Sequence, residues 1–145
     1  MTALKLSPYL TVKRGDAAIA FYRDAFGARE VFRMTDPTSG KLGHAELELG
    51  PDRLMISEEW PDFGALSPAS VGGTPVTLHL AVGDVDAMTA RAEAAGALVV
   101  RRPATQSFGE RTAQINDPEG HRWMLSQQVA EMTPAQMQKA WEDEA

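Results

Sequence analysis

The chain has no cysteine, so disulfides, thiolate metal sites and cysteine nucleophiles are all excluded. Long apolar runs are missing too: no stretch nears the ~20 residues a membrane span requires. The first twelve residues, MTALKLSPYLTV, lack the apolar region of a secretory signal, so a cytoplasmic protein is expected. Positive charge is also scarce. Twenty acidic against 14 basic residues give a formal net charge of −6, and no Lys/Arg stripe is present, which argues against a nucleic-acid partner. The one basic pair, Arg101-Arg102, follows a strand-like run and reads as its solvated end. What remains is an ordinary globular composition, 43% hydrophobic and 23% charged over 145 residues, enough for one domain with a core.

Periodicity divides this domain into alternating elements. Residues 6–12 read as a strand. A helical pattern then begins at Asp16, whose carboxylate suits the N-cap, and stops at Gly27. Strands follow over 30–34, 44–49 and 53–57, separated by the Pro/Gly-bearing segment 36–43 and the turn Gly50-Pro51-Asp52. The second half repeats this order. It has a strand over 76–82, a helix from Asp84 to the stop at Gly96, and strands over 98–101, 111–115 and 122–127. The last two flank the turn Asn116-Asp117-Pro118-Glu119-Gly120. The segments AELELGPDRLMIS (45–57) and AQINDPEGHRWMLS (113–126) align with one insertion, and both halves place Gly-Ala at the helix exit. Two βαβββ modules are therefore expected, at about 4–60 and 76–129. A linker over 61–75 joins them, with Trp60, Phe63 and Leu66 expected to pack. A tail helix over 133–143 is expected to dock through Trp141.

PYLTV…AIAFYRDAFGA, GHAELELGPDRLMIS, HLAVGDVDAM…AEAAGA and FGERTAQINDPEGHRWML carry a resemblance that spans nearly the whole chain. They closely resemble the vicinal oxygen chelate superfamily of glyoxalase I, bleomycin- and fosfomycin-resistance proteins and extradiol dioxygenases. GHAEL and the GER…DPEGHRW ending look like its PhnB-like branch. The resemblance implies an α+β fold in which the two modules form a cupped mixed sheet, helices on the outer face and a ligand site on the inner one. It also implies a homodimer, often with each cup completed by the partner.

Strand alternation then assigns the faces. Leu10, Val12, Ala45, Leu47, Leu54, Ile56, Leu78, Leu80, Ala113, Ile115, Trp123 and Leu125 go to the helices. That leaves Tyr9, Thr11, His44, Glu46, Ser57, Thr77, His79, Gln114 and Met124 as candidate pocket residues. This polar set, read as poor in Lys and Arg, fits either a pocket with a few placed polar groups or the wet face of an antiparallel sheet. Tyr9, Trp60, Phe63 and Phe108 are candidate apolar walls.

Metal-dependent relatives hold a divalent ion at four inward positions, onto which Ser7, Met55, Thr77 and Met124 align. Two hydroxyls and two thioethers are poor ligands for Zn, Ni or Fe(II), so no metal cofactor is expected there. A displaced two-His-one-carboxylate set of His44, Glu46 and His79 is the alternative. His44 and Glu46 without metal would be an acid/base pair. His121 reads as a turn residue, and Arg111 as either an anion contact or the ion-pair partner of Glu110 or Glu48. A metal-independent binder of a small molecule is the leading functional expectation. A lyase, isomerase or dioxygenase with displaced ligands stands second, and a dimeric scaffold third.

Overall fold

A computed structural model describes residues 3–144. Both expected modules are present. In the first, β1 (Tyr9–Val12), α1 (Gly15–Phe26), β2 (Arg29–Thr35), β3 (Leu42–Leu49) and β4 (Asp52–Glu58) form a four-stranded sheet of order β1-β4-β3-β2. After a 3-10 turn (Pro61–Phe63) and a short α2 (Pro68–Val71), the second module follows. It consists of β5 (Thr77–Ala81), α3 (Val85–Ala94), β6 (Leu98–Thr105), β7 (Glu110–Asn116) and β8 (Arg122–Gln128), in order β5-β8-β7-β6. In each sheet the first strand lies parallel to the fourth and the other pairs are antiparallel. The βαβββ order forces this, because the helix crossover brings the chain back in the same direction and the hairpins then reverse it.

Burial follows the expected alternation at the apolar positions of the first sheet, although Ser57, assigned to the opposite face, is buried as well. Leu10, Val12, Ala45, Leu47, Leu54 and Ile56 are buried beneath α1, while Tyr9, His44 and Met55 are not. In α1, Ala18, Ile19, Phe21, Tyr22, Ala25 and Phe26 are buried at helical spacing. Its C-terminus is closed by Gly27 at φ 74°, with the Gly27 and Ala28 amides returning to the Arg23 and Tyr22 carbonyls. The start differs from expectation. Arg14, not Asp16, is the N-cap residue, with no side-chain cap bond, and Asp16 instead pairs with Arg33. The end of β4 supplies the missing anion: Glu58, in register with Val12, accepts the Gly15 amide at 3.2 Å and the Leu42 amide with its other oxygen. Asp84 does cap α3, accepting the Ala87 amide.

The two modules share one core, and the main packing between them is α1 against α3. The Phe26 and Tyr22 rings lie 4.9 and 5.7 Å from Trp123, whose side chain comes from the second module. Beneath these rings sits a buried carboxylate. Asp117 Oδ2 accepts the Tyr22 hydroxyl and Trp123 Nε1–H (2.9 Å), and Oδ1 accepts the Glu119 and His121 amides (2.9 and 3.0 Å). Four donors make this charge tolerable in the interior. Burial, with Asp117 and Glu119 alongside, pushes the Tyr22 phenol well above its ordinary pKa. Glu119 and His121 extend the seam, one accepting the Lys13 amide and the other donating Nε2–H to the Thr11 carbonyl. His121 is thus a half-buried clasp between modules rather than a surface turn residue.

Four further expectations are corrected. β6 continues through Pro103, because an edge strand with a register shift between Arg101 and Ala104 tolerates the missing amide. Arg102, inside that strand, pairs with Glu93. Phe63 and Leu66 do not pack; Phe63 is 86% exposed, and only Trp60 of that trio is half-buried, under the Lys41 ammonium at 4.8 Å. The tail helix α4 (Pro134–Glu142) forms behind a Thr133/Gln136 capping box but buries no residue, and Trp141 is 65% exposed.

Candidate functional site

On the inner face of the first sheet, register sets Tyr9 beside Met55, Met55 beside Glu46, and Glu46 beside Phe32, with His44 beside Met34. Tyr9 and His44 therefore lie two strands apart on the same side, and their long side chains close the gap. The Tyr9 hydroxyl donates to His44 Nδ1 at 2.7 Å, and His44 Nε2–H donates to Glu46 Oε2 at 2.9 Å. A carboxylate can only accept, so Glu46 fixes the proton on Nε2 and leaves Nδ1 as the acceptor that Tyr9 requires. The His44 ring sits between Tyr9 and Phe32, 5.3 and 5.6 Å from their centroids. Arg53 lies 3.5 Å from the second Glu46 oxygen and 3.7 Å from Glu48, and Glu48 also meets Arg29 at 2.8 Å. Both side chains of the His44–Glu46 pair are 21% exposed. Partial burial and the Glu46 charge raise the Tyr9 pKa, so at neutral pH its phenol is a proton donor. Thr11 and Ser57 are adjacent in register; the Ser57 hydroxyl is spent on the Glu58 carbonyl.

The second sheet repeats this lattice with different chemistry. His79 stands beside Met124 as Tyr9 does beside Met55, and Gln114 beside Met124 as Glu46 does beside Met55. Thr77, His79 and Ala81 are exposed. Within the chain the candidate residues thus fall into two groups. His79 borders cavities lined by the β3–β4 turn, Leu49 to Asp52, and not by His44 or Glu46. Among the described residues no three His, Asp or Glu side chains converge as a metal site. The two-His-one-carboxylate set is therefore not assembled by a single chain. Ser7, Met55, Thr77 and Met124, the residues expected at the family's metal positions, offer two hydroxyls and two thioethers, and in register Met55 and Met124 stand beside Tyr9 and His79. That set does not fit a hard or borderline divalent ion.

The inner face is richer in arginine than its sequence reading implied: Arg29 and Arg53 belong to it in the first module, Arg101 and Arg122 in the second. They stand at strand starts or beside a register shift, where alternation counted from the apolar residues was not extended. Arg111 is settled by a partner the sequence did not single out, a two-point pair with Asp86 on α3 at 2.8 and 2.9 Å. Alternation places Tyr9 in the pocket lining without its link to His44, which only the strand order reveals. Of the other wall candidates, Trp60 and Phe108 are half-buried and Phe63 stands in solvent.

The fold and this sheet lattice are those of a known superfamily, and the family model for the Glyoxalase/Bleomycin resistance protein/Dioxygenase superfamily matches residues 5–125, so the chain belongs to it. An uncharacterised protein of Mycobacterium bovis is 43% identical over 138 residues, covering 93% of this chain and 90% of that protein. Among solved structures, TioX from Micromonospora sp. ML1 superposes with TM-score 0.64 at 27% identity, over 90% of this chain and 100% of that one. The fosfomycin resistance protein FosX from Listeria monocytogenes, solved with Mn(II) and sulfate, gives TM-score 0.69 at 20% identity over 97% and 99% of the two chains. The second likeness speaks for the fold alone. No helix among the described residues is long and apolar enough to cross a membrane.

Proposed function

We propose that this protein is a PhnB-like member of the superfamily that binds a small polar organic molecule on the inner face around Tyr9, His44 and Glu46, without an ion at Ser7, Met55, Thr77 and Met124. The observation that carries this reading is the Tyr9–His44–Glu46 chain. It is a prearranged set of donors and acceptors on a half-buried face, flanked by aromatic rings, which is how ligand sites fix orientation. A second copy of the chain could bring the inner face of its second module, with Thr77, His79, Gln114 and Met124, opposite this one, and an isologous dimer would form two such sites. The enzyme alternative, with His44, Glu46 and His79 around a metal, would likewise need two copies.

Sedimentation velocity at micromolar concentration, combined with NMR observation of the His44 ring, tests the proposal. A dimer whose His44 signals move saturably with fosfomycin or catechol as probes, and do not in Glu46→Gln, is the expected result. A monomer with unmoved His44 signals, or rapid metal-dependent turnover of methylglyoxal–glutathione hemithioacetal, catechol or fosfomycin, would overturn it.

A further inference from the structure

Of the three half-buried arginines, Arg53 and Arg111 each have a carboxylate within 4 Å; Arg122 has neither a carboxylate nor a hydrogen-bond partner among the described residues. The register explains this. Its same-face neighbours are Thr77 on β5 and Asn116 on β7, neither of them anionic. The side chain is half-buried and its guanidinium has no counter-charge, although in a chain of net charge −6 a nearby carboxylate would be easy to supply. Arg122 faces a cleft of about 220 Å³ between the modules. Pro8 and Leu10 wall it from the first module, Val76 and Leu78 from the second. Thr74 is at its edge, its hydroxyl oxygen accepting the Val76 amide and its proton left to give. His121, also in the lining, is held by its bond to the Thr11 carbonyl.

We propose that this inter-module cleft is a binding site for a small monocarboxylate with a hydrocarbon body, the carboxylate on Arg122 and the body between Pro8, Leu10, Val76 and Leu78. One unpaired guanidinium matches one negative charge and offers the planar fork that a carboxylate fills with two parallel bonds. The volume corresponds to about seven waters at ~30 Å³ each, the space of a molecule such as benzoate. The cleft is lined by neither His44 nor Glu46, although Tyr9 borders both it and their face.

Calorimetric titration with benzoate, and with benzamide as its neutral isostere, tests the site in low-salt buffer free of other carboxylates. Benzoate is expected to bind saturably, benzamide and the Arg122→Gln protein at least about tenfold more weakly, a loss of ~1.4 kcal/mol. Val76→Trp, at an exposed position, fills the cleft while keeping Arg122 and should abolish binding. Glu46→Gln should leave benzoate affinity unchanged, which separates this site from the one proposed above. Absence of saturable benzoate binding, equal affinity for benzamide, or undiminished binding to Arg122→Gln or Val76→Trp would each overturn it.

Discussion

Replacing Asp117 with Asn keeps its size and removes its charge, and the geometry sets what this costs. The amide can keep its oxygen on the Glu119 and His121 amides, which places NH2 where Oδ2 received Trp123 Nε1–H and the Tyr22 hydroxyl. The Tyr22 hydroxyl can rotate and accept from that NH2. The indole N–H cannot, and a buried donor left unpaired costs about 1–3 kcal/mol. The two amide bonds also fall from charge-assisted to neutral, roughly 1 kcal/mol each. The sum is about 3–5 kcal/mol, a large part of the ~5–15 kcal/mol typical of a domain. At roughly 3 °C per kcal/mol for this size, melting should drop by ~10–15 °C. Urea unfolding followed by circular dichroism measures it. Tyr22→Phe, which removes one donor and leaves the carboxylate three, should cost only about 1–2 kcal/mol. The same pair predicts the alkaline limb. The Tyr22 pKa is raised in the folded protein, so its contribution is intact below the unfolded value near 10 and is lost as pH rises above it, by up to ~1.4 kcal/mol per pH unit. Tyr22→Phe should flatten that limb. An Asp117→Asn protein within 1 kcal/mol of wild type would refute this account of the seam.

Two further outcomes are expected. The Glu59 carboxyl accepts the Ser67 amide at 2.7 Å and, with the Ser70 hydroxyl also favouring its charged form, is held at about 2 against an ordinary 4.5. Its contribution is therefore full above pH 4.5 and disappears as pH falls toward 2, so wild type and Glu59→Gln should differ in melting temperature at pH 6 and converge at pH 2. Gly109 sits at φ +90°, and an added Cβ would lie 2.8 Å from the Ala130 carbonyl oxygen. Gly109→Ala should cost about 1–3 kcal/mol, and clearly more than Gly40→Ala, where φ is +76° but nothing lies within 4 Å; equal costs by thermal denaturation would show that the contact is relieved.

The faces of both sheets were readable in the sequence because one side of each strand is apolar and the period of two leaves no ambiguity once that side is known. Leu47 and Leu54 had to turn one way, so His44 and Glu46 turned the other. What alternation could not supply was distance across strands. Tyr9 and His44 are 35 residues apart, and only the order β1-β4-β3 reveals that one strand separates them. Asp117 was hidden for a different reason. Asn-Asp-Pro-Glu-Gly is a sound turn signal and does form a turn, but the same residues also bind Tyr22 and Lys13 of the other module, which no local pattern records. Asp16 shows the limit of cap rules: a carboxylate from β4 reached the helix start first. Trp141 shows the limit of helical periodicity, which places apolar residues on one side without naming what they meet.

The placement of that carboxylate has a bearing on the history of the repeat. A duplicated module begins as a unit that can stand by itself. Here a turn of the second copy has its negative charge hydrogen-bonded by a phenol from the first, and the first copy's Lys13 amide ends on Glu119 of the same turn. Either copy alone would expose a hydrophobic seam and leave its polar groups without counterparts. The chain is expected to melt as one cooperative unit.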